Sequence, residues 1–262
     1  MKRFQDKVVI VTGASSGLGQ AACFRLAEEG AKLVLVSLAQ EEDKLKSTEN
    51  SIKEINPDAE TLIVTADVSK EEQVKNYVDK TMEKFGRIDG FFNNAGIEGK
   101  QNLTEDYSSE EFDRVVDINL NGVFYGMKYV LKVMKQQGEG SILNCASVGG
   151  IRGVGNQSGY SATKHGVIGL TRNSAVEYGQ FGININAIAP GAIMTDMVEG
   201  SLRQMGGDNW EAVGKEFVKP NPMQRFGKVE EVGGVVAFLL SKDAGFVNGQ
   251  VLPIDGGQSY KY

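Results

Sequence analysis

The branched apolar run Lys7-Val8-Val9-Ile10-Val11 passes without a break into Thr12-Gly13-Ala14-Ser15-Ser16-Gly17-Leu18-Gly19, and this junction limits the fold more than any other feature. A short run of that kind forms a strand buried on both faces, as parallel strands are. A helical pattern follows, with Ala21, Ala22, Phe24, Leu26 and Ala27 apolar before a stop at Glu29-Gly30. Strand, glycine turn and helix together aim free backbone N–H groups and a helix N-terminus at one point, which suits a pyrophosphate. Tight strand-to-helix turns also use glycine for positive φ alone. The flanking elements favour nucleotide binding here. The spacing is G-x-x-x-G-x-G, not the G-x-G-x-x-G of most dinucleotide folds.

The same alternation continues along the chain. Strand-like runs fall at 32–36, 61–65, 88–92, 141–146, 183–189 and 250–254; helical patterns fall at 41–55, 70–85, 117–136, up to Tyr178, and 228–240. The pattern predicts a Rossmann-type α/β fold, a doubly wound seven-stranded parallel sheet with helices on both faces. No proline- or serine-rich linker divides it, so a single domain over 1–262 is expected. The Met- and Gly-rich stretch 192–222 reads as a mobile substrate lid within that domain, with Met194, Met197, Met205 and Trp210 able to fold over an apolar ligand.

A net charge of −6 argues against nucleic acid and anionic membrane as partners. No apolar run approaches the roughly 18 residues of a membrane span, and Met1-Lys2-Arg3-Phe4-Gln5-Asp6 does not read as a secretory leader. A cytoplasmic protein is expected. Cys23 and Cys145 belong to no C-x-x-C, and His165 is the only histidine, so neither a disulfide framework nor a metal site is expected. His165 lies one step round a helix from Lys164 and reads as packing or interface.

Tyr160-Ser161-Ala162-Thr163-Lys164 places a phenol and an ammonium at i and i+4 of a predicted helix, hence on one face. A nearby ammonium stabilises phenolate, so the Tyr160 pKa is expected to fall from about 10 toward the working range of a proton donor. Ser147 stands thirteen residues earlier at a strand end. Taken alone, Ser147 is an ordinary turn former, Asn119 a polar residue on a helix, and Asp67, Asn93 and Thr195 turn or helix caps.

In this order the motifs resemble the short-chain dehydrogenase/reductase family along nearly the whole chain. They are Thr12 to Gly19, Asp67-Val68, Asn93-Asn94-Ala95-Gly96, Asn119, Ser147, Tyr160-x-x-x-Lys164 and Pro190-Gly191. The segments Gly90–Lys100, Ser147–Arg152 and Pro253–Gln258 resemble more narrowly those members that reduce cyclic diketones. The resemblance implies an NAD(P)H-dependent carbonyl reductase or alcohol dehydrogenase acting on a ketone, a cyclic ketone or diketone being favoured. It implies Tyr160 as general acid and base, Ser147 as holder of the substrate oxygen, and Lys164 as partner of Tyr160 and of the nicotinamide ribose. Asn119 would kink its helix and hold a water leading from Lys164 to solvent.

Cofactor contacts implied in the same way are Gly13, Ser15, Ser16, Gly17, Leu18, Gly19, Ser37, Leu38, Asp67, Val68, Asn94, Ala95, Gly96, Tyr160, Lys164, Pro190, Gly191, Ile193 and Thr195. Pocket walls are expected at Ile97, Glu98, Val148, Gly149 and Gln157. Ser37 stands where an NAD-preferring fold places Asp or Glu, and no arginine follows to clamp a 2′-phosphate. Glu41, Glu42 and Asp43 would repel that phosphate and Lys44 and Lys46 attract it, which leaves NADP(H) or NAD(H) with a lean to NADP(H). The family also implies a homotetramer. Two other readings stand beside the ketone reductase: a 3-oxoacyl carrier-protein reductase, which needs a basic docking surface, and a catalytically silent nucleotide-binding regulator.

Overall fold

A computed structural model describes residues 2–219 and 221–260. Met1, Pro220, Lys261 and Tyr262 lie outside the described residues, so the ends of the predicted domain and one position of the predicted lid are not discussed. Seven strands form one sheet: β1 Val8–Thr12, β2 Lys32–Ser37, β3 Thr61–Thr65, β4 Gly90–Asn93, β5 Gly140–Cys145, β6 Ile183–Pro190 and β7 Val251–Ile254. They are all parallel, in the order β3-β2-β1-β4-β5-β6-β7. The order reverses at β1, which pairs with β2 on one side and β4 on the other, so a crevice opens at the carboxyl ends of β1 and β4.

The apolar runs are continuous because both faces of the sheet are covered, and the period of two divides each run between two cores. Val9, Val11, Leu33, Leu35, Phe92 and Leu143 face one core; Val8, Ile10, Val34, Val36, Phe91 and Ile142 face the other. The first core is closed by α1 (Gly17–Glu28), α2 (Glu42–Ile55) and a C-terminal helix at Val229–Leu240, through Ala22, Leu26, Leu45, Ile52, Val232 and Val236. The second is closed by α3 (Glu71–Phe85) and by two long helices described below, through Val74, Tyr77, Met127, Val130, Val167 and Ile168.

One helix boundary expected from the sequence needs correction. The helix expected from 117 starts earlier, as α4 (Ser109–Val116), passes through a widened π turn at Asp117–Asn121, and runs on as α5 (Gly122–Gln137). Ser108 caps α4 by accepting a hydrogen bond from the Glu111 backbone N–H (3.2 Å), a signal followed by acidic residues in the first turn. Most of the stretch 192–222 folds as α7 (Asp196–Gly206) and α8 (Trp210–Val218). Leu202 and Val218 are buried there, and the Phe217 and Phe226 rings stack at 6.4 Å. The remaining helices are α6 (Ser158–Tyr178), which carries Tyr160, and α9 (Val229–Leu240).

Helices α1 and α9 cross at close range because Gly233 has no Cβ: an ideal Cβ there would lie 2.9 Å from the Ala21 carbonyl oxygen. At Gly234 the nearest atom is 3.8 Å away. Gly233→Ala is therefore predicted to destabilise the fold by about 1–3 kcal/mol, as overpacking does. Gly234→Ala should leave it unchanged or stabilise it by up to about 1 kcal/mol through helix propensity. Denaturant unfolding of the two variants beside the wild type reads the difference.

Candidate active site

A cleft of about 450 Å³ runs along the carboxyl ends of the strands, from the end of β2 to the head of α6. The β1–α1 turn forms its floor, and each glycine of that turn has a separate reason to be there. Gly13 and Gly17 take positive φ, +69° and +55°. A Cβ at Gly13 would meet Asn94 Nδ2 at 2.8 Å, and one at Gly19 would lie 2.1 Å from the Gly13 carbonyl oxygen. Thr12 Oγ1 accepts from the backbone N–H groups of Asn94 (2.9 Å) and Ala95 (3.0 Å), and Asn94 Nδ2 donates to Thr12 O (2.9 Å). The ends of β1 and β4 are thereby fixed against each other. The first turn of α1 carries no acidic residue, so its N–H groups face the cleft without a competing carboxylate.

Of the nineteen cofactor positions expected above, all line this cleft except Gly19, which packs beneath the turn. Ser37 ends β2, and its hydroxyl shares a 3.0 Å hydrogen bond with that of Ser15. Glu41 and Lys44, an ion pair at 2.9 Å, line the same end. Asp67 serves as a turn cap, one oxygen accepting from the Ser69 N–H (2.9 Å) and hydroxyl (2.7 Å). Thr195 caps α7 by accepting from the Val198 N–H at 3.3 Å. Ile118, Asp196 and Val198 also line the cleft and were not expected. Ile118 sits in the π turn, and the other two open α7, neither of which the sequence pattern had resolved.

At the other end, Ser147, Tyr160 and Lys164 come together on the cleft wall. Ser147 follows β5 and accepts a hydrogen bond from the Gly149 N–H (3.1 Å). The Ser161 hydroxyl donates to Gly149 O (2.7 Å), which ties the Ser147 turn to α6. Asn119 is fully buried and does not reach the cleft; its amide clasps the Ile97 backbone, accepting from Ile97 N (2.8 Å) and donating to Ile97 O (2.7 Å). Asn93 braces the sheet, donating to Val123 O (2.9 Å) and Asn144 Oδ1 (3.3 Å). Among the expected pocket walls, Ile97 lines the cleft, while Val148 and Gly149 form the turn behind Ser147. Glu98 and Gln157 lie to the side, hydrogen-bonded to each other. His165 is exposed, with Nδ1 against Ser161 O at 2.9 Å. Both cysteines are buried and free. Among the described residues there is no cluster that could ligate a metal ion and no helix long and apolar enough to cross a membrane.

The electrostatics of the pair correct the expectation from the sequence. Burial pushes the Tyr160 phenol up, not down; the Ser147 hydroxyl opposes this, and Glu98 adds to it. The Lys164 ammonium lies 5.5 Å from the centroid of the Tyr160 ring and donates to the Cys145 carbonyl (2.8 Å) rather than to the phenol. Burial lowers the Lys164 pKa as well. Burial thus disfavours the charged form of both groups.

A family model described as enoyl-(acyl carrier protein) reductase matches residues 13–259, and the chain belongs to the short-chain dehydrogenase/reductase family of oxidoreductases. It is 60% identical to levodione reductase of Leifsonia aquatica over 99% of this chain and 97% of that one. The crystal structure of levodione reductase superposes with a TM-score of 0.97, covering 99% of this chain and all of the other. Cyclohexanol dehydrogenase of Acinetobacter sp. (strain SE19) is 39% identical over 99% of this chain and 97% of its own. A crystal structure of NAD+-bound xylitol dehydrogenase, 37% identical, superposes with a TM-score of 0.93 over 98% of this chain and 100% of its own.

The lowered pKa of Lys164 gives a stability prediction with a definite sign. Below its folded pKa the native state holds a buried charge, and stability rises with pH between that value and the unfolded 10.5, where the unfolded chain binds more protons. Lys164→Met should therefore raise stability in neutral buffer by about 0.5–2 kcal/mol while abolishing turnover. The gap to wild type should narrow as pH approaches 10. Urea denaturation at a series of pH values measures it.

Proposed function

We propose that the chain transfers hydride reversibly between a nicotinamide dinucleotide and a ketone or secondary alcohol, with a cyclic ketone or diketone as the favoured substrate. One observation carries this reading: Ser147, Tyr160 and Lys164 converge on the cleft whose floor is the glycine turn. The relatives named for levodione and cyclohexanol support the cyclic substrate class. The cleft fits the cofactor, because Gly13 and Gly19 leave room that a Cβ would fill and α1 points an uncompensated N-terminus into it. The turn and α1 would hold the pyrophosphate; Ser37, Leu38, Glu41 and Lys44 the adenosine ribose; Asp67 and Val68 the adenine. Asn94 to Gly96, Lys164, Pro190, Gly191, Ile193 and Thr195 would hold the nicotinamide half.

When bound, the nicotinamide gives or accepts the hydride. Tyr160 gives its phenolic proton to the substrate oxygen in reduction and takes it back in oxidation. Ser147 donates to the same oxygen, so negative charge develops against a placed donor. Lys164 supplies the positive charge that makes the departing proton affordable for a buried phenol. Asn119 acts at a distance, through the Ile97 backbone it clasps. Substrate orientation falls to Ile97 and α7, with Met197 on the cleft.

Both NAD(H) and NADP(H) are used in this reading, with a lean to NADP(H). The paired hydroxyls of Ser15 and Ser37 do not repel a 2′-phosphate, and Lys44 can meet it, although Glu41 offsets part of that charge. We further propose a cytoplasmic homotetramer. Exposed Phe112 and Phe124 on α4 and α5, and Leu252 on the edge strand β7, are apolar surface that subunit contacts would cover.

Steady-state kcat/KM with NADH and NADPH against cyclic diketones, ketoesters and 3-oxoacyl thioesters tests the function. Turnover of the cyclic diketones is expected, with Tyr160→Phe reducing it by about 10²–10⁴-fold and cofactor binding intact. Turnover of the thioesters alone would indicate a carrier-protein reductase, and tight cofactor binding with no turnover a regulator. For the cofactor, Ser37→Asp should weaken the NADPH Kd by about tenfold or more, through like-charge repulsion, and leave NADH within about threefold. Fluorescence titration of the two cofactors checks that without turnover.

A further inference from the structure

The chain leaves the end of β6 near Ile193 and comes back beside it at Gly227, just ahead of α9. The base of this excursion is closed by backbone alone: Met194 N donates to Gly227 O (3.1 Å) and Gly227 N to Ala192 O (2.9 Å). A Cβ at Gly227 would lie 2.4 Å from Ile193 Cδ1, so the two limbs meet as closely as packing allows. Farther out, α7 rests on the loop that follows β4. The Gln101 N–H donates to Gln204 Oε1 (3.3 Å), and Gln101 Nε2 donates to Ser201 Oγ (2.6 Å).

That loop is tied in turn to the head of α6. Asn102 N donates to Asn156 O (3.0 Å), and Asn102 bridges Gln157 in parallel register. Glu98 stands at the junction of all three segments. Its Oε1 accepts from Gln101 Nε2 (3.3 Å) and from Gln157 Nε2, so one carboxylate oxygen joins the α7 contact to the residue immediately before α6. Gln157 is three residues from Tyr160. Burial raises the Glu98 pKa, and hydrogen bonds from Ser201, Gln101 and Gln157 act against it, so these donors offset part of the cost of burying the carboxylate.

We propose that Glu98 is a positioning residue that couples the docking of α7 to the seating of Tyr160. With Glu98 in place, α7 cannot lift from the loop without disturbing the glutamine that anchors the head of α6. The kinetic side of this inference rests on Tyr160 as proton donor; the docking side does not.

Limited trypsin digestion of the full chain, without substrate, reads the docking at Arg203 on α7 and Lys215 on α8. Cleavage inside a helix requires local opening, so its rate follows the opened population. Glu98→Ala should raise that rate about tenfold, the factor expected for losing hydrogen bonds to a charged acceptor. Glu98→Gln keeps an acceptor oxygen for both glutamines and should stay within about threefold of wild type. Ser201→Ala removes the contact on α7 alone and should also raise cleavage, which covers the case in which Glu98→Ala fails to fold. In turnover, Glu98→Ala should raise KM and lower kcat, Ser201→Ala should raise KM with kcat unchanged, and Glu98→Gln should restore both. Wild-type cleavage rates in both alanine variants would overturn the docking. Faster cleavage with an unchanged kcat in Glu98→Ala would overturn the coupling to Tyr160. If no ketone is turned over by any form, the reductase reading fails while the digestion still decides the docking.

Discussion

A half-buried phenol on the cleft wall and a buried ammonium share one face of α6, and much of the surrounding packing exists to place that helix. Gly150 lacks a Cβ because one there would lie 2.6 Å from the Lys164 carbonyl oxygen. A Cβ at Gly166 would lie 2.8 Å from Leu120, in the π turn between α4 and α5. At Gly96 it would press on Asn119 Oδ1 at 3.0 Å and Lys164 Nζ at 3.5 Å. These close approaches bring the helix against the end of β5, where the Cys145 carbonyl takes the Lys164 ammonium. Desolvation raises the cost of charging either group, and that cost is what makes their proton affinity responsive to a third charge brought into the cleft.

The other half of the cleft follows from β1 and β4 being neighbours. Gly13 and Gly19 let α1 start against the end of β4, and Thr12 with Asn94 fixes the two strand ends together. In the proposed function an anion bound there would meet an unopposed helix N-terminus, while the reacting carbonyl would meet donors on α6 and at Ser147. Because β4 also leads into the Ile97–Asn102 loop, the strand tied to the glycine turn also carries the contacts to α7. Binding, chemistry and cover therefore share one structural support.

The alternation of apolar runs and helical patterns made the sheet legible, because strands covered on both faces are mostly apolar, with buried polar residues such as Asn93, Asn144 and Asn186 too few to break the runs. The glycine turn and the Tyr160–Lys164 face were legible for the same kind of reason: sterics at Gly13 and i, i+4 geometry on α6 are local. What was not legible depends on neighbours distant in sequence. The direction of the Tyr160 shift is set by burial and by where Lys164 points, which residues 145 and 160–164 do not reveal together. From residue type and periodicity alone Asn119 is any polar helix residue, and its clasp on the Ile97 backbone joins positions 22 apart in sequence. The start of α4 escaped although Ser108 is a recognisable cap, and α7 and α8 were hidden by a composition rich in Gly and Met.

The proton transfer proposed for Tyr160 requires that its raised proton affinity be brought down by positive charge placed in the cleft. Phenolate absorbance of wild type minus that of Tyr160→Phe, followed against pH with and without saturating oxidised cofactor, isolates this one group. Without cofactor, Tyr160 should titrate above the ordinary tyrosine value of about 10. With it, the midpoint should fall below about 10. The same midpoint in both titrations would contradict the account.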